Sequence, residues 1–214
     1  DPDEVVAALS EELTAARRRG LEDLDLDTAQ KRRIDAPILE RFARRYADDD
    51  ESARVPLIKT LLGLTHGDSG LIRIDDASVG DGNDVSYRSQ IGYMPQIARF
   101  PENLSAAELF TMLRELRGNP AELDEELVTK FGLPPELDKP LRVLSGGTKQ
   151  KVNACLAFLF RPKILILDEP TAGLDPLSSA ILKDKILAAR GEGATVVITS
   201  HIMSELEELC DDVA

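Results

Sequence analysis

Two adjacent carboxylates, Asp168 and Glu169, stand directly after an apolar run at residues 164–167 (Ile-Leu-Ile-Leu). Because such a run is typical of a parallel strand covered on both faces, we expect the pair at the carboxyl edge of a sheet, where open α/β folds bind ligands. Two neighbouring carboxylates can divide two tasks, since one can hold Mg²⁺ while the other polarises a water molecule. Taken alone, the pattern is equally compatible with a structural role.

A turn of small residues at 145–147 (Ser-Gly-Gly) is the second candidate for chemistry. Small residues at the start of a helix expose backbone N–H groups, and the helix dipole favours an anion there. A Ser-Gly-Gly turn by itself is common and usually structural. Here Leu144 precedes it, Gln150 follows it and the apolar run comes next, so the combination is far more specific than its parts.

These segments resemble the motifs of the ATP-binding-cassette (ABC) ATPases, and the resemblance covers about residues 57–214. It implies ATP and Mg²⁺ as ligands, and ATP hydrolysis coupled to transport through a membrane partner. The matching segments are residues 93–96 (Q-loop), 144–150 (signature motif), 164–169 (Walker B strand), 171–176 (D-loop) and 200–201 (switch histidine).

The resemblance also implies a role for each matching residue. Asp168 and Gln96 would serve Mg²⁺, Glu169 the attacking water and His201 the γ-phosphate. The signature motif would close over a nucleotide held by the opposite subunit. The residues on the nucleotide side would be Ser145, Gly146, Gly147, Gln150 and Gln96, with Asp175 at the dimer contact.

The implied partners are a second ABC ATPase subunit, in a homodimer or heterodimer, and a transmembrane permease. The implied location is cytoplasmic, at the inner face of the membrane through that permease. Within the family, residues 95–104 and 146–152 most resemble the ATPases that serve copper-site maturation of nitrous oxide reductase.

The chain departs from the family where the phosphate-binding (Walker A) loop should be. That loop has the pattern G-x-x-x-x-G-K-[ST] and should occupy residues 48–55, before the helix that begins at Leu57. The segment reads Asp-Asp-Asp-Glu-Ser-Ala-Arg-Val and has no glycine, so it cannot easily turn its N–H groups onto a phosphate. Arg54 stands where the lysine belongs, Val55 replaces the Mg²⁺-binding hydroxyl and Pro56 removes a further N–H.

Electrostatics point the same way. Two like charges about 4 Å apart cost on the order of 4 kcal/mol at an effective dielectric constant near 20. Four carboxylates at residues 48–51 would therefore outweigh one arginine beside a triphosphate. We expect an impaired ATP-binding subunit, and whether the chain is itself an enzyme stays open. The alternative is a non-catalytic cassette that lends its signature motif to an intact ATPase.

The order of elements predicts an α/β fold of the P-loop-NTPase type, with a parallel sheet, helices on both faces and a helical subdomain. Three parts are expected: a helical N-terminal segment (1–47), an acidic linker (48–56) and a partial ABC ATPase domain (57–214) with its helical subdomain at about 97–145. A natural fusion, a fragment and a degenerate cassette all fit this division. Predicted elements include a helix from 57 to 63, a strand at 71–74, a loop at 76–90, a strand at 91–96, a helix capped by Ser105, a helix from Asn119 to Gly132, a helix after Gly147, buried strands at 164–168 and 195–199, and helices at 177–190 and after His201.

Composition narrows the function classes further. The formal net charge of −13 over 214 residues argues against a general nucleic-acid binder, which needs a basic surface. No apolar run approaches the roughly 18–20 residues of a membrane helix, so a membrane connection must come through a partner protein. The two cysteines, Cys155 and Cys210, lie in apolar helical patterns and are expected to be reduced.

Overall fold

The computed structural model describes residues 58–65, 72–74, 77–79 and 86–212. Its strands are β1 (Ile72–Ile74), β2 (Ala77–Val79), β3 (Ile91–Met94), β4 (Ile164–Asp168) and β5 (Thr195–Thr199). Its helices are α1 (Ala106–Leu116), α2 (Glu126–Lys130), α3 (Gly146–Phe158), α4 (Pro176–Gly191) and α5 (Met203–Leu209). The predictions for residues 1–47 and for the linker at 48–56 lie outside the described residues.

The centre of the fold is a parallel sheet in the order β3-β4-β5, which confirms the predicted α/β class. The middle strand, β4, is buried along its apolar run and has the predicted bounds. The prediction that β5 is fully buried was wrong, because every residue of β5 is only partly covered. Among the described strands β5 pairs only with β4, so β5 is an edge strand of the sheet.

Side-chain caps start two of the helices; the sequence predicts the cap at Ser105, whereas the helix predicted after Gly147 already begins at Gly146. Ser105 and Glu108 form a complete capping box at the start of α1, with Glu108 N–H donating to Ser105 Oγ at 3.2 Å and Ser105 N–H donating to Glu108 Oε2 at 2.8 Å. Ser145 Oγ accepts from Thr148 N–H at 3.1 Å and caps α3. Among the helices described, none combines the length and apolar character needed to cross a bilayer.

The predicted helix from Asn119 to Gly132 begins only at Glu126. Gly118 and Asn119 both adopt left-handed backbone angles (φ 75° and 54°), which reverse the chain after α1. Asp124 is then held by a hydrogen bond from its N–H to Leu159 O at 2.8 Å, and its side chain accepts from Glu126 N–H. The helix therefore begins later than predicted and is only five residues long.

The predicted loop at 76–90 also contains regular structure. Strand β2 pairs antiparallel with β1, and residues Ser86–Gln90 form a 3-10 helix. Tyr87 of that helix is buried in a small apolar cluster with Ile58, Leu61 and Ile91. Burial of this tyrosine gives the polar segment an anchor that its composition does not reveal.

Helix α3 packs directly on β3. A Cβ atom at Gly92 of β3 would lie 2.1 Å from the backbone oxygen of Ala157, so only glycine allows this approach. At the end of β3, the buried side chain of Asn153 donates to Pro95 O at 2.8 Å. Helix α3 is therefore fastened along the strand that leads to Gln96.

Candidate functional site

The carboxyl ends of three neighbouring parallel strands collect the residues for which the sequence predicts chemistry. Gln96 follows β3 by two residues, Asp168 is the last residue of β4 and His201 follows β5 by two residues. Since these strands are parallel and adjacent, all three positions lie at one edge of the sheet. This is the edge at which open α/β sheets bind ligands.

Asp168 is held by the neighbouring strand. Thr199 lies opposite it in the β4–β5 register, and the Thr199 hydroxyl donates a short hydrogen bond to Asp168 Oδ1. Across the sheet, burial raises the pKa of Tyr93, and the charge of Asp168 raises it further. The Asp168 carboxylate is thus fixed in direction at the edge of the sheet.

Glu169 has an unusual backbone for a residue with a side chain. Its φ is 48°, in the left-handed region, and its N–H donates to Thr199 O at 2.9 Å. The residue is only 7% exposed. Non-glycine residues in this region cost of order 1–3 kcal/mol and are concentrated at functional sites, where surrounding structure enforces them.

The two residues predicted to be catalytic lie side by side. His201 Nε2 is 3.4 Å from Glu169 Oε1. The His201 side chain is 75% exposed, whereas the glutamate is buried. In this pair His201 is therefore accessible to solvent, whereas Glu169 is buried.

The signature turn, residues 145–147, opens α3 with its small residues toward solvent. Ser145 and Gly146 are exposed, and a Cβ atom at Gly146 would meet nothing within 4 Å. The cap leaves the first N–H groups of a 13-residue helix at an uncrowded surface. This arrangement can receive an anion.

The carboxylate turn, residues 169–175, contacts the signature turn. A Cβ at Gly147 would lie 3.2 Å from Gly173 O, and Lys151 Nζ is 3.0 Å from Asp175 Oδ2. Asp175 caps α4 by accepting from Ser178 N–H at 2.9 Å and Ser178 Oγ at 2.7 Å. These Ser178 hydrogen bonds, with the Lys151 contact, hold the pKa of the Asp175 carboxyl well below its usual value.

Gln150 lies apart from the exposed turn. Its side chain is buried in α3, where Oε1 accepts from Asn153 Nδ2 at 3.3 Å. Its Nε2 has no hydrogen-bond partner among the described residues. The structure thus brings Gln150 toward Asn153 and Pro95 rather than toward the surface that Ser145 and Gly146 present.

The donor set at the sheet edge suits Mg²⁺ only if phosphate oxygens complete it. The described residues contain no group of three or more His, Cys, Asp or Glu that could hold a metal ion. Mg²⁺ characteristically binds through one or two carboxylates, waters and substrate phosphates. Asp168, with the amide of Gln96 at the same edge, fits that mode of binding.

Several residues of the site were not singled out from the sequence. Thr199 could have been found, because it ends the strand next to β4 in parallel register. Asn153 and Glu205 act through contacts between residues far apart in the sequence, which motifs do not report.

The fold and the sheet-edge site define the class: a P-loop-NTPase-fold cassette of the ATP-binding type. A family model described as "ABC transporter" matches residues 56–172. The chain therefore belongs to the ABC transporter family.

Similar proteins agree with this assignment. The chain is 37% identical over 131 residues to the phospholipid-transporting ATPase ABCA3 of Rattus norvegicus, a match that covers 59% of this chain and 8% of that protein. It is 26% identical over 166 residues to the Nod factor export ATP-binding protein I of Ralstonia nicotianae, covering 76% of this chain and 51% of that one. The chain thus spans about half, or less, of the length of these relatives. The copper-maturation subfamily stays a prediction.

Solved structures share the fold. One described as "Structure of ATP binding subunit of ABC transporter" superposes with a TM-score of 0.70 at 30% identity and covers 76% of this chain and 69% of that one. The dimeric ATP-binding cassette MJ0796 bound to ADP and Pi has a TM-score of 0.65 at 22% identity, with 73% of each chain covered.

Proposed function

We propose that the chain is an ATP-binding subunit of an ABC transporter whose productive nucleotide site is shared with a second cassette. In that site this chain supplies the signature turn, with Asp175 at the dimer contact, and the partner supplies the glycine-rich loop and its own catalytic carboxylate. A membrane permease, bound near Gln96, would couple the pair to transport from the inner face of the membrane.

One contrast carries the proposal. The signature turn is complete, capped and uncrowded, and it adjoins the carboxylate turn through Gly147 and Lys151. Residues 48–55, by contrast, contain no glycine and four acidic side chains. The family match begins at residue 56, which supports the same division. The half of an ABC site that faces a neighbour is therefore better preserved than the half that would hold this chain's own nucleotide.

A second function is favoured by one specific observation. Glu169 and His201 are 3.4 Å apart, and the adjacent Asp168 is held by Thr199. Groups so placed can polarise a water, contact a γ-phosphate and serve Mg²⁺. On this alternative the chain hydrolyses ATP at its own site, by means other than a standard phosphate loop.

Calorimetry of the purified chain with Mg-ATP separates the two proposals. We expect weak binding and no turnover by the chain alone, because a glycine-free acidic segment cannot cradle a triphosphate. ATP turnover should appear when the chain is co-purified with a cassette of the same organism that carries an intact G-x-x-x-x-G-K-[ST] loop.

Two matched variants show which site produces the turnover measured in that assay. Gly146→Asp places a carboxylate at the anion-binding helix start, and it should abolish turnover in the pair. Glu169→Gln should leave turnover at the shared site largely intact. Turnover by the chain alone that Glu169→Gln removes would instead establish the second function.

A further inference from the structure

Glu205, in the first turn of α5, is a carboxylate that the fold buries almost completely, at 7% exposure. Thr171 Oγ1 lies 3.0 Å from one of its oxygens and 2.8 Å from the other. Ser200 Oγ donates to it at 3.3 Å, and Lys183 Nζ of α4 lies 3.6 Å away. Three separate segments therefore meet at one carboxylate.

The burial of this charge makes its partners hard to separate. A buried carboxylate is costly unless it is paired and hydrogen-bonded. Movement of Thr171 or Ser200 away from Glu205 would leave its oxygens short of donors inside the protein. The contacts thus join the turn after β4 to the turn after β5.

Both turns carry a residue of the proposed site. Thr171 follows Glu169 by two residues, and Ser200 directly precedes His201. Through Thr171 and Ser200, Glu205 holds the chain next to each of them.

The backbone of Glu169 explains why such a restraint is needed. Its φ of 48° is unfavourable for a residue with a Cβ atom, and a residue before proline is further restricted. Such a conformation persists only when the surroundings over-determine it. On one side Glu169 N–H donates to Thr199 O, and on the other Ala172 N–H donates to Glu169 O at 3.1 Å. Glu205 fixes the segment beyond through Thr171.

We propose that Glu205 is a positioning residue that holds Glu169 in its left-handed conformation and sets its carboxylate against His201. The interaction runs through the Thr171 hydroxyl on one side and the Ser200 hydroxyl on the other. The use of this pair in catalysis rests on the second proposed function, hydrolysis at the chain's own site, whereas the positioning itself does not.

NMR of the nucleotide-free full chain tests the positioning directly. The chain has two histidines, His66 and His201, so the imidazole ¹³C–¹H spectrum is simple and His66 serves as an internal reference. Glu169→Gln should displace the His201 cross peak in the wild-type background at fixed pH. In the Glu205→Gln background the peak should already be displaced, and its response to Glu169→Gln should be lost.

Matched variants separate positioning from general destabilisation. Glu208→Gln removes an exposed carboxylate that pairs with the same lysine at 2.8 Å, and it should preserve the His201 response. Thr171→Val removes the hydroxyl at constant shape and should abolish the response. Thr171→Ser keeps the hydroxyl and should restore it.

The idea fails if the His201 peak ignores Glu169→Gln in the wild type, or still responds to it in folded Glu205→Gln or Thr171→Val. It also fails if Thr171→Ser behaves like Thr171→Val. Should Glu205→Gln not fold, the Thr171 variants decide alone. Because nucleotide is absent, these outcomes are independent of the calorimetric test of the shared site.

Discussion

The signature turn and the carboxylate turn lie in contact, yet they are built in opposite ways. The signature turn combines small residues with a simple serine cap and leaves its surface uncrowded. The carboxylate turn forces a glutamate into a left-handed conformation and buries it beside hydrogen-bonded neighbours. A site that binds an anion through backbone N–H groups must be open to the ligand. A site that acts through side chains must hold those side chains in a fixed orientation. The two turns meet these different needs with different residues.

The largest loss of stability is expected from disrupting the packing of helix α3, which the signature turn opens, on β3. Gly92→Ala would place a Cβ 2.1 Å from Ala157 O and 2.7 Å from Pro162 Cγ, so helix α3 must move off β3. Overpacking of this kind should lower the free energy of unfolding by about 3 kcal/mol. Urea denaturation measures the change. Gly191→Ala, where a Cβ would meet nothing within 4 Å, is the control and should be close to neutral.

Because only the carboxylate turn holds a strained non-glycine residue, the difference in stability between glycine and alanine should have opposite signs in the two turns. At residue 169, glycine should be more stable than alanine by about 1 kcal/mol, because alanine keeps the left-handed penalty. At residue 146, where φ is not left-handed, alanine should be more stable than glycine by about 0.5 kcal/mol.

Thermal unfolding of Glu169→Gly, Glu169→Ala and Gly146→Ala measures both differences. If alanine proves as stable as glycine at residue 169, that backbone is unstrained and the contrast between the turns disappears.

The Ser145 cap of the signature turn should contribute to the free energy of unfolding by an amount similar to the difference at residue 169. Ser145→Ala removes the acceptor of the Thr148 N–H bond and should cost about 1 kcal/mol. Ser145→Asp keeps a capping oxygen and should restore stability in chemical denaturation. An equal loss in both variants would mean that the cap is not the stabilising interaction.

The smallest effect on stability concerns the ion pair that joins Lys151 of helix α3 to Asp175 of the carboxylate turn. The pKa of Asp175 lies below its ordinary value of 3.8, because of the Ser178 hydrogen bonds and Lys151. A depressed pKa in the folded state means that the ionised carboxylate stabilises the protein above pH 3.8 and that this contribution is lost as the pH falls below it. Since asparagine still caps α4, Asp175→Asn should be slightly less stable at pH 7, and the difference should shrink in acid.

Urea midpoints of the wild type and Asp175→Asn between pH 7 and pH 3 measure this change. The Lys151→Gln background provides the control, and there the loss of stability caused by Asp175→Asn should be smaller at neutral pH. A difference that does not depend on pH would show that charge is not its source.

Local pattern was sufficient for much of the fold. The apolar run ending at Asp168 predicts β4 with its correct bounds, and the capping box at Ser105 predicts the start of α1. Where local signals were ambiguous, prediction failed. The sequence predicts a helix start at Asn119, but its left-handed backbone and the Asp124 contact to Leu159 delay the helix to Glu126.

The sequence by itself determined the family, the parallel character of the sheet and the residues that follow its strands, because these follow from motifs and periodicity along short stretches. Only the tertiary structure decided how those residues are held. Thr171 and Glu205 are 34 residues apart, and Pro95 and Asn153 are 58 apart. These contacts form because helices α3 and α5 pack beside the sheet. No local pattern encodes such a contact, since it depends on where separate elements come to lie in space.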